Sequence, residues 1–238
     1  MKKKILLFIG KPIGISVLNF LSKKEKYDIE TWSSNKKLVE NKKIKYLKSK
    51  KEFIKFFISK KKQYDILIIV YWPWLVPAKL FTKFKNSINF HPAYLPYGRG
   101  WYPHVHTLIK KFKWGVTLHK IFPGMDDGDI WCQKEIKFNK FSTATELYKI
   151  SSNEILKLFK SNFQKIITGK ITSKKQNGKI LIFTKKNLIK YDKLLLNKKY
   201  KLIDLIKINN ARSFKKKTFN FFKYMGKKYS FKIDIKKL

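Results

Sequence analysis

Tyr64-Asp65-Ile66-Leu67-Ile68-Ile69-Val70-Tyr71 is the stretch that decides the fold. Ile66 to Val70 is apolar without a break, so both faces of a strand built from it are hydrophobic. That pattern suits a central strand covered on both sides, as in parallel sheets. Trp72-Pro73-Trp74-Leu75-Val76-Pro77 follows as a loop, because two prolines exclude a continued ladder. A short helix from Ala78 to Phe84 and a strand from Ser87 to Phe90 are predicted next.

Working back from this strand, Ile5 to Ile9 is a second apolar run, ending in Gly10 and Gly14. It reads as a buried parallel strand passing through a glycine loop into a helix over 16–21. A glycine loop at that place can approach a phosphate, although Gly10-Lys11-Pro12-Ile13-Gly14 does not match the dinucleotide-binding fingerprint. Tyr27 to Trp32 reads as a strand. Phe53, Ile54, Phe56, Phe57 and Ile58 give 51–60 a helical period. Strands alternating with helices imply an α/β protein with a mostly parallel sheet.

Downstream, Val116 to Phe122 and Ile130 to Phe138 alternate like strands. Thr143-Ala144-Thr145-Glu146 fits a capping box. It opens a helix with Leu147, Ile150, Ile155, Leu156, Phe159, Phe163 and Ile167 on a broad apolar stripe, stopping near Gly169. A domain boundary is expected there, dividing residues 1–170 from a small extension over 171–238. The extension holds the apolar run Ile180 to Phe183 and should form a helical stretch around Leu202 to Ile208 and a hairpin between Thr218 and Ile235 turning near Met225-Gly226.

Composition bounds the function. The chain has 238 residues, 44% hydrophobic and 16% aromatic, enough for one good-sized core and a small appendage. The net charge of +41 suggests a polyanionic partner such as nucleic acid. Yet Arg99 and Arg212 are the only arginines, and the lysines are scattered among Ile, Asn, Phe and Tyr along the whole length. Nucleic-acid readers favour the planar arginine fork, whereas A/T-biased codon usage would spread lysine over any fold. Cys132 is the single cysteine, which excludes a disulfide framework and fits a reducing cytoplasm. The apolar run after Met1 is too short for a signal peptide, and no segment approaches the roughly 20 apolar residues of a membrane span.

The chemistry is concentrated between residues 89 and 130. Asn89-Phe90-His91 ends a strand, where open α/β sheets place their ligands. Asn89 and His91 project to the same side of an extended chain. An amide donor beside an imidazole fills a core poorly but suits oxyanion stabilisation and proton transfer. Asp126-Asp127-Gly128-Asp129 gathers three of the 15 acidic residues. As a bland alternative it is a solvated turn. Arg99, between two glycines in a flexible loop, has the geometry to hold an anion bidentately. His104 and His106 alternate after Pro103 but lack a third ligand at a recognised spacing, so no metal site is expected. The loop containing Trp72 and Trp74 is either core or one wall of a flat-ring pocket.

These motifs resemble the folate-dependent formyltransferases. Asn-x-His, a Leu-Pro-x-x-Arg-Gly turn, a Gly-Val-Thr-x-His strand and an Asp-x-Gly-Asp-Ile loop occur here in order, as Asn89–His91, Leu95–Gly100, Gly115–His119 and Asp126–Ile130. The resemblance covers roughly residues 1–170. It is to the N-terminal domain of methionyl-tRNA formyltransferases and most of all to the sugar N-formyltransferases, whose closing segment resembles Ile208 to Ile235. It implies a Rossmann-like α/β fold and 10-formyltetrahydrofolate as formyl donor. By position, Asn89, His91 and Asp126 would be catalytic. The pterin end of the folate would lie against Trp72, Trp74, Leu75 and Val76 and against Phe122, Gly124 and Met125, with His119 beside them. Gly10, Lys11, Tyr97 and Arg99 would face the acceptor. Where Ser-Leu-Leu-Pro and Tyr-Arg-Gly are usual, this chain has Ala93-Tyr94-Leu95-Pro96 and Gly98-Arg99-Gly100, which bears on acceptor identity.

The resemblance leaves three acceptors: a nucleotide-linked amino sugar, initiator methionyl-tRNA, or glycinamide ribonucleotide. The tail after residue 170 looks too short for the extra domain of the tRNA enzymes, which favours the amino sugar. A homodimer is left open. From another class, a non-catalytic basic RNA-binding domain would account for the charge. It gives no reason for Asn89, His91 and Asp126 to occur together.

Overall fold

A computed structural model describes residues 2–40, 43–59, 64–77, 84 and 86–235. The chain begins with β1 (Lys3–Ile9), α1 (Ile13–Ser22), β2 (Tyr27–Ser33), β3 (Ile44–Tyr46), α2 (Lys50–Ser59), β4 (Ile66–Val70) and β5 (Asn86–His91). It continues through β6 (Arg99–Gly100), α3 (Pro103–Lys110), β7 (Gly115–His119), β8 (Ile130–Glu135) and the long helix α4 (Ala144–Ile167). The remainder forms β9 (Ile182–Phe183), α5 (Lys186–Asp192), α6 (Leu202–Ala211), β10 (Ser213–Phe214), β11 (Lys217–Thr218), β12 (Phe221–Tyr224) and β13 (Lys227–Ser230). The helix expected from Ala78 to Phe84 lies almost wholly outside the described residues. By packing, two units emerge, each assembled from three stretches: residues 1–91, 117–134 and 154–177, and residues 92–116, 135–153 and 178–238.

The first unit is built on a seven-stranded sheet in the order β3-β2-β1-β4-β5-β7-β8. β1 pairs parallel with both β2 and β4, and β4 pairs parallel with β5. β7 joins β5 antiparallel. The fully buried run Ile66–Val70 occupies the central position its composition requires. Strand order reverses between β1 and β4, the switch point where open α/β sheets form their crevice. There Gly10 donates its amide to Val70, 2.9 Å away, and a Cβ on Gly10 would lie 2.1 Å from the Tyr71 carbonyl oxygen. The missing side chain at Gly10 is therefore used to bring two strand ends together.

Alternation along the strands divides the core. Leu6, Phe8, Leu67 and Ile69 join Phe53 and Phe57 of α2 in one buried cluster. The Phe8 and Phe53 rings meet edge to face at 5.1 Å. Phe90 projects the other way and lies 4.9 Å from Phe159 of α4. Ile155, Phe159 and Phe163, four residues apart, are completely buried along one stripe of that helix. Ile150, expected on the stripe, is instead exposed. The capping box forms as expected: the Thr143 amide donates to the Glu146 carboxylate at 2.7 Å, and the Glu146 amide donates to Thr143 Oγ1 at 3.2 Å.

The second unit has its own core of Val105, Leu108, Trp114, Leu147, Leu188 and Ala211. Arg212 is buried, pairs with Asp192 through Nε and Nη2, and lies over the Phe219 ring. β12 and β13 form the expected hairpin, with Met225 and Gly226 both at positive φ in its two-residue turn. His104 and His106 are both buried on α3, and His106 stacks on Phe183 with centroids 3.9 Å apart. Among the described residues, no helix is long and apolar enough to cross a membrane.

Candidate active site

The pairing of β5 with β7 assembles the polar residues. Asn89 stands opposite His119, and His91 opposite Thr117. Facing residues of an antiparallel pair share a side of the sheet, and so do residues two apart on one strand. Asn89, His91 and His119 are therefore brought to one face, while Phe90 and its partner Leu118 are packed on the other. Asn89 Nδ2 lies 2.9 Å from His119 Nε2. His119 Nδ1 lies 2.6 Å from the carbonyl oxygen of Lys120, where it can only donate. Nε2 is then the acceptor for the Asn89 amide, which defines the His119 tautomer.

Asp126 completes the group from the loop after β7. Its Oδ1 accepts from Asn89 Nδ2 at 3.2 Å and lies 3.6 Å from His119 Nε2. Its Oδ2 lies 3.4 Å from His91 Nδ1. His91 and His119 are almost fully buried, whereas the Asp126 side chain keeps 17% exposure. The loop is held at both ends. Lys120 donates its amide to Asp129 at 2.8 Å, and the Ile121 amide donates to Ser87 Oγ at 3.0 Å. These bonds end the strand at His119, short of the expected Phe122. Asp126 itself sits at φ 51°, the left-handed region that Asp tolerates better than most residues.

The other expected site residues fall in distinct settings. Trp72 and Trp74 meet edge to face and pack beside Phe8 and Phe53, so a good part of each indole belongs to the core. Leu75 is exposed and Val76 buried. Phe122 is exposed, and Gly124 and Met125 are half-buried. Val76 and Ile121 belong to one apolar cluster, so the loops 72–77 and 122–125 are rooted together. Lys11 is exposed beside Gly10. In the second unit, Tyr97 is half-buried, with its hydroxyl near Gly178. Arg99 is not on a flexible loop: its amide donates to Leu181 at 2.8 Å, β6 pairs with β9, and the residue is 9% exposed.

Sequence reasoning set His119 beside the folate rather than inside the polar group. It lies in strand phase with Thr117, opposite to the buried Val116 and Leu118, but its partner depends on a register the sequence does not print. Gln176 was missed altogether. Its Nε2 donates to the carbonyl oxygens of both Asp126 and Gly128, each at 2.8 Å. An amide donor packed against an imidazole–carboxylate pair suits a reaction in which a carbonyl oxygen gains charge and an amine loses a proton.

The chain is similar to known proteins over much of its length. The chain is 28% identical over 137 residues to the dTDP-4-amino-4,6-dideoxyglucose formyltransferase of Mycobacterium tuberculosis, covering 58% of each chain. It is 28% identical over 137 residues to the methionyl-tRNA formyltransferase of Coprothermobacter proteolyticus, covering 57% of this chain and 44% of that one. The match thus spans less than two thirds of either relative. Among solved structures, a 4-N formyltransferase from Francisella tularensis superposes with a TM-score of 0.89 and 25% identity, covering 99% of both chains. The formyl transferase profile matches residues 14–159, a span from the first helix into α4 that contains Asn89, His91, His119 and Asp126. The chain belongs to the formyl transferase family.

Proposed function

We propose that this protein is an N-formyltransferase that moves the formyl group of 10-formyltetrahydrofolate to the amine of a nucleotide-linked amino sugar. The observation that carries this reading is the contact network joining Asn89, His119, Asp126 and His91 where β5 meets β7. The likeness to the dTDP-4-amino-4,6-dideoxyglucose formyltransferase of Mycobacterium tuberculosis supports the sugar acceptor. The donor fits the two loops rooted by Val76 and Ile121. They offer exposed apolar edges at Leu75 and Phe122, and main-chain polar groups, to a flat heterocycle. Cys132 as a lone thiol is in keeping with a cytoplasmic setting.

In this reaction the neutral amine attacks the formyl carbon, a new C–N bond forms, and the bond from that carbon to the folate nitrogen breaks. The amine loses a proton and the folate nitrogen gains one. Asn89 and protonated His91 stabilise the oxygen as it becomes negative. Asp126 orients His91 and helps accept the proton lost by the amine. Both hydrogens of the Asn89 amide already have partners, at 2.9 Å and 3.2 Å. Donation to the oxyanion therefore exchanges the longer contact, the one with Asp126, while His119 keeps its hold on Asn89.

The net charge of +41 favours a second reading, formylation of initiator methionyl-tRNA. Incubating the purified protein with formyl donor and either a dTDP-amino sugar or charged initiator tRNA, at moderate salt, separates the two. Formyl on the sugar amine is expected. Formyl on the tRNA alone selects the second reading, and transfer to neither overturns both.

A further inference from the structure

We infer that Gln176 is a positioning residue for this reaction, holding the Asp126 main chain so that its carboxylate reaches Asn89 and His91. The inference rests on the formyl-transfer reading above. Gln176 lies beyond residue 159, outside the span that the formyl transferase profile matches, yet its side-chain amide bridges two carbonyls of the Asp126 loop at 2.8 Å each. One nitrogen with two hydrogens thus joins the carbonyls of the two residues that flank Asp127.

The loop has reason to need such a clamp. Asp126 sits at φ 51°, a conformation that costs free energy for a residue other than glycine and persists only when its surroundings enforce it. The carboxylate contacts it presents, at 3.2 Å to Asn89 and 3.4 Å to His91, are long enough that a small displacement breaks both. The segment carrying Gln176 is itself anchored to the loop. Ile130 and Lys174 exchange main-chain hydrogen bonds of 2.7 Å and 2.9 Å, and Ser173 Oγ lies 3.5 Å from Asp129 Oδ2. Residues 173–176 therefore form a strap across the base of the loop, with Gln176 placed under Asp126. All of these groups lie in the first unit.

The test compares Gln176→Met, which keeps the shape and removes the donors, with Gln176→Lys, which restores an N–H donor. In Gln176→Met, kcat should fall roughly tenfold to a hundredfold, as expected for misplacement of about an ångström at a reacting centre. KM for donor and acceptor should stay near wild type, and the pH–rate profile should move because the His91–Asp126 contact changes. Hydrogen exchange at the Lys120 and Ile130 amides, which bond to Asp129 and Lys174, should accelerate. Gln176→Lys should recover part of kcat. Gln164→Met, at a surface glutamine bonded to Lys26 and Tyr27, should leave kcat unchanged. If Gln176→Met does not fold, Gln176→Glu replaces it, setting a carboxylate against the two carbonyls with the same expected losses. Unchanged kcat, a loss confined to KM, or unaltered exchange in an active enzyme overturns the role of Gln176 alone. Absence of formyl transfer by the wild-type chain overturns the reaction, and the role with it.

Discussion

Asn89 on β5 faces His119 on β7, and the Asn89 amide donates to His119 Nε2 over 2.9 Å. His119 is fixed in turn by its own donation to Lys120. The pair makes His119 the residue that aims Asn89. His119→Phe keeps the ring volume but removes the acceptor and leaves the Lys120 carbonyl without its imidazole partner. Stability should drop by about 1–3 kcal/mol, the usual cost of stranding a buried polar group. Turnover should fall further than that loss explains, with KM little changed. Urea unfolding and steady-state kinetics on the same preparation check both parts.

In the proposed mechanism, Asn89→Ala removes a donor to the developing oxyanion. Such a donor contributes on the order of 3 kcal/mol, so turnover should fall at least about a hundredfold. His91→Asn and Asp126→Asn should be worse, because each breaks the His91–Asp126 contact and, in the proposed mechanism, also removes a group that handles a proton. Near-normal turnover in all three folded variants would sink the assignment of the catalytic group.

Much of this was legible in advance, for physical reasons. Ile66–Val70 had to be a covered strand, since only a central position buries both faces of such a run. Asn89 and His91 declared their common side by the two-residue period alone. The Asp126 loop stood out because acidic residues are scarce in this chain. What escaped depended on distance along the chain. His119 joins Asn89 across a register, and Gln176 reaches Asp126 from 50 residues away after a helix has intervened. Arg99, between glycines, looked mobile, but its main chain is captured by β9, a two-residue strand too short to carry a period. The indoles of Trp72 and Trp74 pack on Phe53 at the foot of the loop, the core reading of the two the sequence left open.

Acid should destabilise the protein through α3. Burial lowers His104 to about 3 and, with Lys110, Lys190 and Arg212 nearby, lowers His106 to about 4. Around them stand Tyr148, Phe214, Phe183 and Tyr191, and the nearby Arg212 is paired with Asp192. Both folded values lie below the ordinary 6.5, so the unfolded chain takes up these protons first. Their effect is absent above about pH 7 and grows as pH falls below 6.5, reaching about 3 kcal/mol for His104 alone at pH 4. Urea midpoints at pH 7, 5.5 and 4.5 should decline steeply in the wild type and less in His104→Leu. Equal pH slopes for the two proteins would exclude His104 as the cause.

Two glycines should separate folding from chemistry. A Cβ on Gly10 would stand 2.1 Å from the carbonyl oxygen of Tyr71, pushing apart the ends of β1 and β4 at the centre of the sheet. A Cβ on Gly128 would stand 1.9 Å from the carbonyl oxygen of Lys120, at the base of the Asp126 loop. Neither obstacle is a side chain that can swing away, so the main chain itself must move. For Gly10→Ala the moving parts are core strands, and a loss of about 1–3 kcal/mol is expected from overpacking. For Gly128→Ala the loop yields more readily than the sheet, so stability should change less while Asp126 leaves its place beside His91 and Asn89. Gly128→Ala should therefore lose turnover out of proportion to stability, whereas Gly10→Ala should unfold at lower urea. Denaturation midpoints set beside kcat for the two variants decide it, and the reverse ranking would show that the loop, not the sheet end, is the stiffer of the two.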